Sequence, residues 1–146
     1  VHEPGNFKVP FGMNQAELIE AAGGYKVDPE KIISGGPMMG FSMFTVDVPV
    51  TKTSSSILCF TKDEVAQYEP TACINCGRCV EVCPSRLIPS RLADYAEHHD
   101  EEAFTKHEGL ECMECGSCSY VCPAKRQLKQ AIGSMRKTAL ANRKKK

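Results

Sequence analysis

The sequence has little of what marks a nucleic-acid-binding, membrane-spanning or hydrolytic protein. Charge of one sign is missing in bulk: 18 basic and 18 acidic residues cancel to a formal net charge of zero, so the overall balance supplies no basic footprint for nucleic acid. No apolar run approaches the roughly 20 residues that a membrane-spanning helix needs. No secretory signal pattern is present. An initiating Met is also missing; the opening Val1-His2-Glu3-Pro4-Gly5 reads as part of a longer protein, with upstream functions out of view. No Ser/His/Asp or Cys/His arrangement offers itself for hydrolysis. Gly35-Gly36-Pro37-Met38-Met39-Gly40 lacks the Lys-Ser/Thr ending of a phosphate loop and the spacing of a dinucleotide fingerprint, and reads as a structural turn.

What the sequence does have is cysteine: nine in 146 residues. That length suits one ordinary domain or two small ones. Domains of roughly 60 residues are marginal on hydrophobic burial alone and lean on metal or disulfide staples. The composition changes part-way along the chain. Residues 1–62 read as a small α+β unit. Asn6–Phe11 alternates like a strand, Asn14 caps a short helix with Glu17 three residues on, and Gly23-Gly24 ends it. Strands follow at Lys31–Ser34, Thr45–Val50 and Ser56–Phe60. Residues 63–70 read as a linker and 71–136 as a cysteine-rich helical domain. There, helices open at Pro89-Ser90, span Glu101–Glu108 behind an Asp100 cap, and follow Pro123 with Leu128, Ala131, Ile132 and Met135 on one face. Residues 137–146 read as a basic, solvated, disordered tail, with contact to an anionic membrane surface or an acidic partner as the sharper alternative.

The helical domain contains an internal repeat. The run Cys73-Ile74-Asn75-Cys76-Gly77-Arg78-Cys79-Val80-Glu81-Val82-Cys83-Pro84 aligns with the run from Cys112 to Pro123 at a period of 39 residues. Each is C-x2-C-x2-C-x3-C-P, the spacing of bacterial-type iron–sulfur ligation, in which the fourth cysteine serves the other cluster. Three thiols at two-residue gaps wrap one cluster, and Gly77 and Gly116 let the backbone curl close to it. Cluster 1 is therefore expected on Cys73, Cys76, Cys79 and Cys122, and cluster 2 on Cys112, Cys115, Cys118 and Cys83. Ile74, Val80, Val82, Met113, Tyr120 and Val121 are expected to shield the metal from water. Arg78, Lys125 and Arg126 are candidates to offset the charge gained on reduction.

Zinc competes for such thiolates, but paired C-x2-C ligation rather than three cysteines plus C-P is its habit. Disulfides compete only in an oxidising compartment. Cys59 lies outside any ligand spacing in an apolar strand and reads as a structural thiol. His98-His99 reads as a solvated helix end.

Several segments together resemble a known family. Glu3-Pro4-Gly5-Asn6, Ala22-Gly23-Gly24, the Gly35–Gly40 segment, Thr53–Leu58, Cys73–Pro89 and Glu114–Pro123 resemble the C subunit of Rnf electron transport complexes, over nearly the whole chain as its C-terminal part. The resemblance implies a β-grasp domain of the soluble-ligand-binding (SLBB) type in the first unit, which we read as a structural bridge, and an α-helical ferredoxin domain with two [4Fe-4S] clusters in the second. It implies a peripheral protein on the cytoplasmic side of the bacterial inner membrane, docked to other subunits of an ion-translocating ferredoxin/NAD oxidoreductase. Its FMN and NADH sites would lie upstream of this chain, so no flavin or NADH residue is assignable here. On that reading the chain is an electron carrier with no catalytic residue of its own. The alternatives are a metal-stapled docking module and an iron–sulfur subunit of a quinone- or disulfide-linked oxidoreductase.

Overall fold

A computed structural model describes residues 1–144. The chain divides into two units, one from Val1 to Gln67 and one from Tyr68 onward.

In the first unit, α1 (Gln15–Ala21) begins where Asn14 Oδ1 accepts the Ala16 N–H at 2.9 Å. That bond satisfies one of the donors every helix start leaves unpaired. The helix ends in a Schellman arrangement: Gly24 N–H bonds Ile19 O and Gly23 N–H bonds Glu20 O, each at 2.9 Å. Both glycines have positive φ, which glycine adopts at little cost. β1 (Lys31–Ser34) lies between β2 (Phe41–Met43) and β3 (Ile57–Phe60) in an all-antiparallel sheet. Ile33 pairs with Ser42 on one side and Leu58 on the other. The Gly35–Gly40 segment is the β1–β2 hairpin turn. A Cβ on Gly40 would stand 2.5 Å from Gly36 O and 2.6 Å from Ile33 Cγ2, so packing admits only glycine there.

Two expected strands do not form. Asn6–Phe11 is irregular, and Thr45–Val50 contributes only an isolated bridge, Asn14 to Pro49. Pro10 and Pro49 have no N–H to give a ladder, and each interrupts its run. β2 was not expected; it is three residues long with Phe41 and Ser42 exposed, so it shows no alternation. Part of the segment expected as a linker is tied to the first unit's sheet. Lys31 Nζ holds both Asp63 oxygens at 2.9 Å, and Asp63 N–H donates to Glu30 Oε2 at 2.8 Å. A 3-10 turn, Glu64–Gln67, continues the first unit.

The second unit carries its repeat into the backbone. α2 (Arg78–Glu81) and α3 (Pro89–Glu97) recur 39 residues later as the starts of α5 (Ser117–Tyr120) and α6 (Leu128–Arg143). The left-handed residues recur too: Asn75 with Glu114, Gly77 with Gly116, Arg86 with Lys125. Between the halves lies α4 (Glu101–Lys106), capped by Asp100 Oδ1 on the Ala103 N–H at 2.9 Å. α4 stops two residues before the expected Glu108, which turns left-handed and leads into a 3-10 turn at Gly109–Glu111. Phe104, Leu92, Leu128 and Ile132 form the fully buried centre, each contributing about 1.5–3 kcal/mol by removal from water. Cys79, Cys83, Cys112, Cys118 and Cys122 pack against that core.

The expected disordered tail is helical to Arg143. Ala139 is buried on the same face as Ile132 and Met135, and Asn142 Nδ2 donates to Glu101 Oε2 at 2.7 Å. Burial and that bond outweigh repulsion among the basic residues. Lys145 and Lys146, the end of the expected tail, lie outside the described residues.

Candidate metal centre

Each cysteine run opens as an irregular loop, closes in one short helical turn and leaves through Cys-Pro. Gly77 and Gly116 are the left-handed N-caps of α2 and α5, with φ of 75° and 84°. For Gly77 the reason for glycine is conformational, since no other protein atom lies within 4 Å of where a Cβ would stand.

Two hydrogen bonds cross the runs. Thr71 N–H, just before the first run, donates to Ala124 O, just after the second, at 2.9 Å. Ser85 Oγ–H, just after the first run, donates to Glu111 O, just before the second, at 3.3 Å. The start of each run is thereby tied to the exit of the other. The thiols follow that crossing. Cys73, Cys76, Cys79 and Cys122 line one cavity, with Ser90, Arg126 and Leu128 in its wall. Cys83, Cys112, Cys115 and Cys118 line another, backed by Leu87, Leu92 and Ile132. Among the described residues, no three His, Cys, Asp or Glu side chains converge as the ligands of one ion would. All nine cysteines are free thiols. The donor set is four thiols around a space, twice over, which suits a multi-atom cluster better than a single tetrahedral ion.

The two sites differ in environment. Cys73 and Cys76 are exposed, whereas all four thiols of the second site are half-buried. Burial raises the Cys112 thiol and pushes the Cys118 thiol up to about 11, while the Ser117 hydrogen bonds lower that of Cys115. Backbone amides already point at sulfur: Leu87 N–H donates to Cys83 Sγ and Glu114 N–H to Cys112 Sγ, each at 3.4 Å. Such bonds stabilise a thiolate ligand and tune its metal. Cys59 pairs across from Ile32 in the first unit's sheet, half-buried, with its thiol raised by burial.

The expected shield is partly misplaced. Ile74 lines the first cavity and Met113 the second. Val80, Val82 and Tyr120 are exposed, and neither they nor Val121 lie in either lining. The apolar walls come instead from Leu87, Leu92, Leu128 and Ile132. For Leu128 and Ile132 the signal in the sequence is the helical periodicity after Pro123. Of the three candidate cations, Arg78 is exposed on α2, and Lys125 Nζ sits 4.4 Å over the Tyr68 ring. Arg126 is the one in a cavity wall.

Comparison with known proteins bears on both units. The family model described as "4Fe-4S dicluster domain" matches residues 72–126, and the one described as "SLBB domain" matches residues 1–42. The C subunit of the Na(+)-translocating ferredoxin:NAD(+) oxidoreductase complex of Acetobacterium woodii is 41% identical over 99% of this chain. The chain is homologous to this C subunit. The C subunit of the proton-translocating ferredoxin:NAD(+) oxidoreductase complex of Clostridium ljungdahlii is 46% identical over 64% of the chain. The C subunit of the ion-translocating oxidoreductase complex of Methanosarcina acetivorans is 43% identical over 66%. The chain spans 33%, 20% and 22% of these relatives. As a homologue of these C subunits it is an α+β protein whose SLBB domain precedes a dicluster domain for two [4Fe-4S] clusters. Among the described residues no helix is long and apolar enough to cross a membrane.

Proposed function

We propose that the second unit relays single electrons between two [4Fe-4S] clusters with crossed ligation: Cys73, Cys76, Cys79 and Cys122 for one, and Cys112, Cys115, Cys118 and Cys83 for the other. The observation that carries this is the sorting of eight thiols into two cavities, each taking its fourth cysteine from the opposite run. The clusters, when bound, supply one-electron donor and acceptor sites. The chain's own residues do the rest. Leu87, Leu92, Ile132 and Leu128 keep water from the inner walls. The Leu87 and Glu114 amides donate to ligand sulfur, and the Thr71 and Ser85 braces hold the crossed thiols in place. The crossing puts the two clusters side by side, because each run serves both.

The wider reading rests on the family resemblance, and the relatives' names support it as far as a subunit of an ion-translocating ferredoxin:NAD oxidoreductase complex. The chain acts as the iron–sulfur part of a peripheral subunit in an ion-translocating ferredoxin:NAD oxidoreductase, on the cytoplasmic face of the bacterial inner membrane. FMN and NADH bind in parts of the subunit outside this chain, and other subunits are its partners. The basic end of α6 faces an anionic membrane surface. The SLBB domain serves as a structural bridge. The domain bounds that support this reading are an SLBB-type unit up to Gln67 and a dicluster unit from Tyr68.

Anaerobic reconstitution tests the relay: about eight iron and eight acid-labile sulfide per chain are expected. Saturation at two zinc ions without a low-temperature spin signal on reduction would leave only a metal-stapled docking module. Cys122→Ser tests the crossing. It should disturb the cluster on Cys73, Cys76 and Cys79; damage confined to the cluster on Cys112, Cys115 and Cys118 would refute it.

A further inference from the structure

The charges around the two cavities are arranged differently. The lining of the second holds one cation, Lys129, and one acid, Glu114, and Glu114 pairs with Arg136 outside that lining at 3.3 Å. The first cavity has Arg126 in its wall. That side chain is 11% exposed. Its Nη2–H groups donate to Asp94 Oδ1 at 2.8 Å and to the Glu97 carboxylate at 3.0 Å. Those two carboxylates are 52% and 51% exposed. All these bonds run from Nη2, which leaves Nε–H and Nη1–H free of the two acids.

The asymmetry in burial decides which charge the cavity feels. Asp94 and Glu97 also line a cavity with Cys73, but at half exposure water and salt screen them, whereas the mostly buried guanidinium acts through a medium of lower dielectric. Burial by itself works against the Arg126 charge, but the Asp94 and Glu97 partners outweigh it and hold the cation firmly protonated. Arg is also the cation suited to such a clamped, partly dry position, because its planar fork stays charged and is weakly hydrated. One-electron reduction adds one negative charge to a cluster site without a proton. A fixed neighbouring cation favours the reduced form, and so does the solvent reaching the exposed Cys73 and Cys76.

We propose that Arg126, clamped by Asp94 and Glu97, raises the reduction potential of the cluster on Cys73, Cys76, Cys79 and Cys122 above that of its neighbour, making it the electron-accepting member of the pair. The inference rests on the crossed ligand sets proposed above. Iron and sulfide analysis of the wild-type chain tests those separately.

The experiment is a dithionite titration of the reconstituted full chain, followed by low-temperature electron spin resonance, for wild type, Arg126→Gln and Asp94→Asn. Cys73→Ser identifies which signal belongs to the first cavity. Arg126→Gln should lower the higher midpoint by about a tenfold change in the reduction equilibrium, about 59 mV for one electron, and leave the other within twofold. Asp94→Asn, which keeps the Glu97 clamp and removes one negative charge, should move the same midpoint upward by less. A merely structural role would not give opposite signs. The proposal is overturned if neither midpoint moves in Arg126→Gln, if the two variants shift it in the same direction, or if the lower midpoint is the one affected. Should Arg126→Gln fail to hold its cluster, the Asp94→Asn shift decides alone: upward supports the proposal, and no shift overturns it.

Discussion

The two units solve the problem of small size in different ways. The first unit has a thin core in which Ile19, Ala22, Ile33 and Val50 are the buried apolar residues. It relies on local devices: the Asn14 cap, the Gly23-Gly24 stop, the hairpin at Gly35–Gly40 and the Lys31–Asp63 pair. The second unit builds a continuous core of Leu87, Leu92, Phe104, Leu128, Ile132 and Met135 and places five of its eight ligand-type cysteines against it. Its core therefore has two jobs, packing the helices and walling the thiol cavities. A lesion in the second unit's core should reach its metal chemistry. A lesion in the first should stay local.

Phe104→Ala is the strongest way to break that comparison. Phe104 is fully buried, and Gly109 makes room for it: a Cβ there would stand 2.5 Å from the ring. Truncating a buried Phe costs about 3–5 kcal/mol. Amide hydrogen exchange should show the second unit opening more readily by that amount, with the first unit's protection unchanged. Reconstituted iron content should fall with it. Equal loss of protection in both units would mean that they unfold together and that their cores are not independent.

The second unit was far more legible in the sequence than the first, for a physical reason. Cluster ligation ties chemistry to spacing, so the grouping of eight thiols that line the two cavities could be expected from C-x2-C-x2-C-x3-C-P alone, and helix periodicity gave Leu128, Ile132 and Met135. In the first unit the expected strands at Asn6–Phe11 and Thr45–Val50 failed at prolines, and β2 was hidden because an exposed edge strand of three residues has no buried face to pattern. The shielding residues were misread for a related reason. Val80 and Tyr120 are close to ligands in sequence, but each sits exposed on a four-residue helix, and walls come from Leu87, α3 and α6 instead. At the other end of the chain, the charge run at Arg143-Lys144 masked the apolar stripe through Ala139 that carries α6 past the expected boundary.

Asn14→Ala sharpens the comparison from the first unit's side. Removing the acceptor for the Ala16 N–H should cost about 1 kcal/mol. In a unit with so little core this is a larger share of the total than the same loss would be in the second. Exchange protection in α1 and the sheet should drop while the second unit, and its iron content, stay as in the wild type.

The smallest expected effect is the most specific. Lys31 holds the Asp63 carboxyl below the usual carboxylate range, with the Ala66 amide helping. A carboxyl whose folded value is depressed contributes stability that is present above its unfolded value, about 3.9. That contribution is lost as pH falls through the folded value. Both partners keep about a fifth of their side-chain surface in water, so the pair contributes at most about 1 kcal/mol after screening. Asp63→Asn should therefore lower the first unit's stability by up to that amount at neutral pH. The difference from wild type should close as pH falls below the unfolded value of about 3.9 and the wild-type carboxyl takes up its proton. Raising salt should shrink the difference as well. A gap that persists unchanged at low pH would assign the loss to the Asp63 N–H and Glu30 contact, which the substitution disturbs without removing, and would make the linkage between residues 61–67 and β1 a matter of backbone geometry rather than charge.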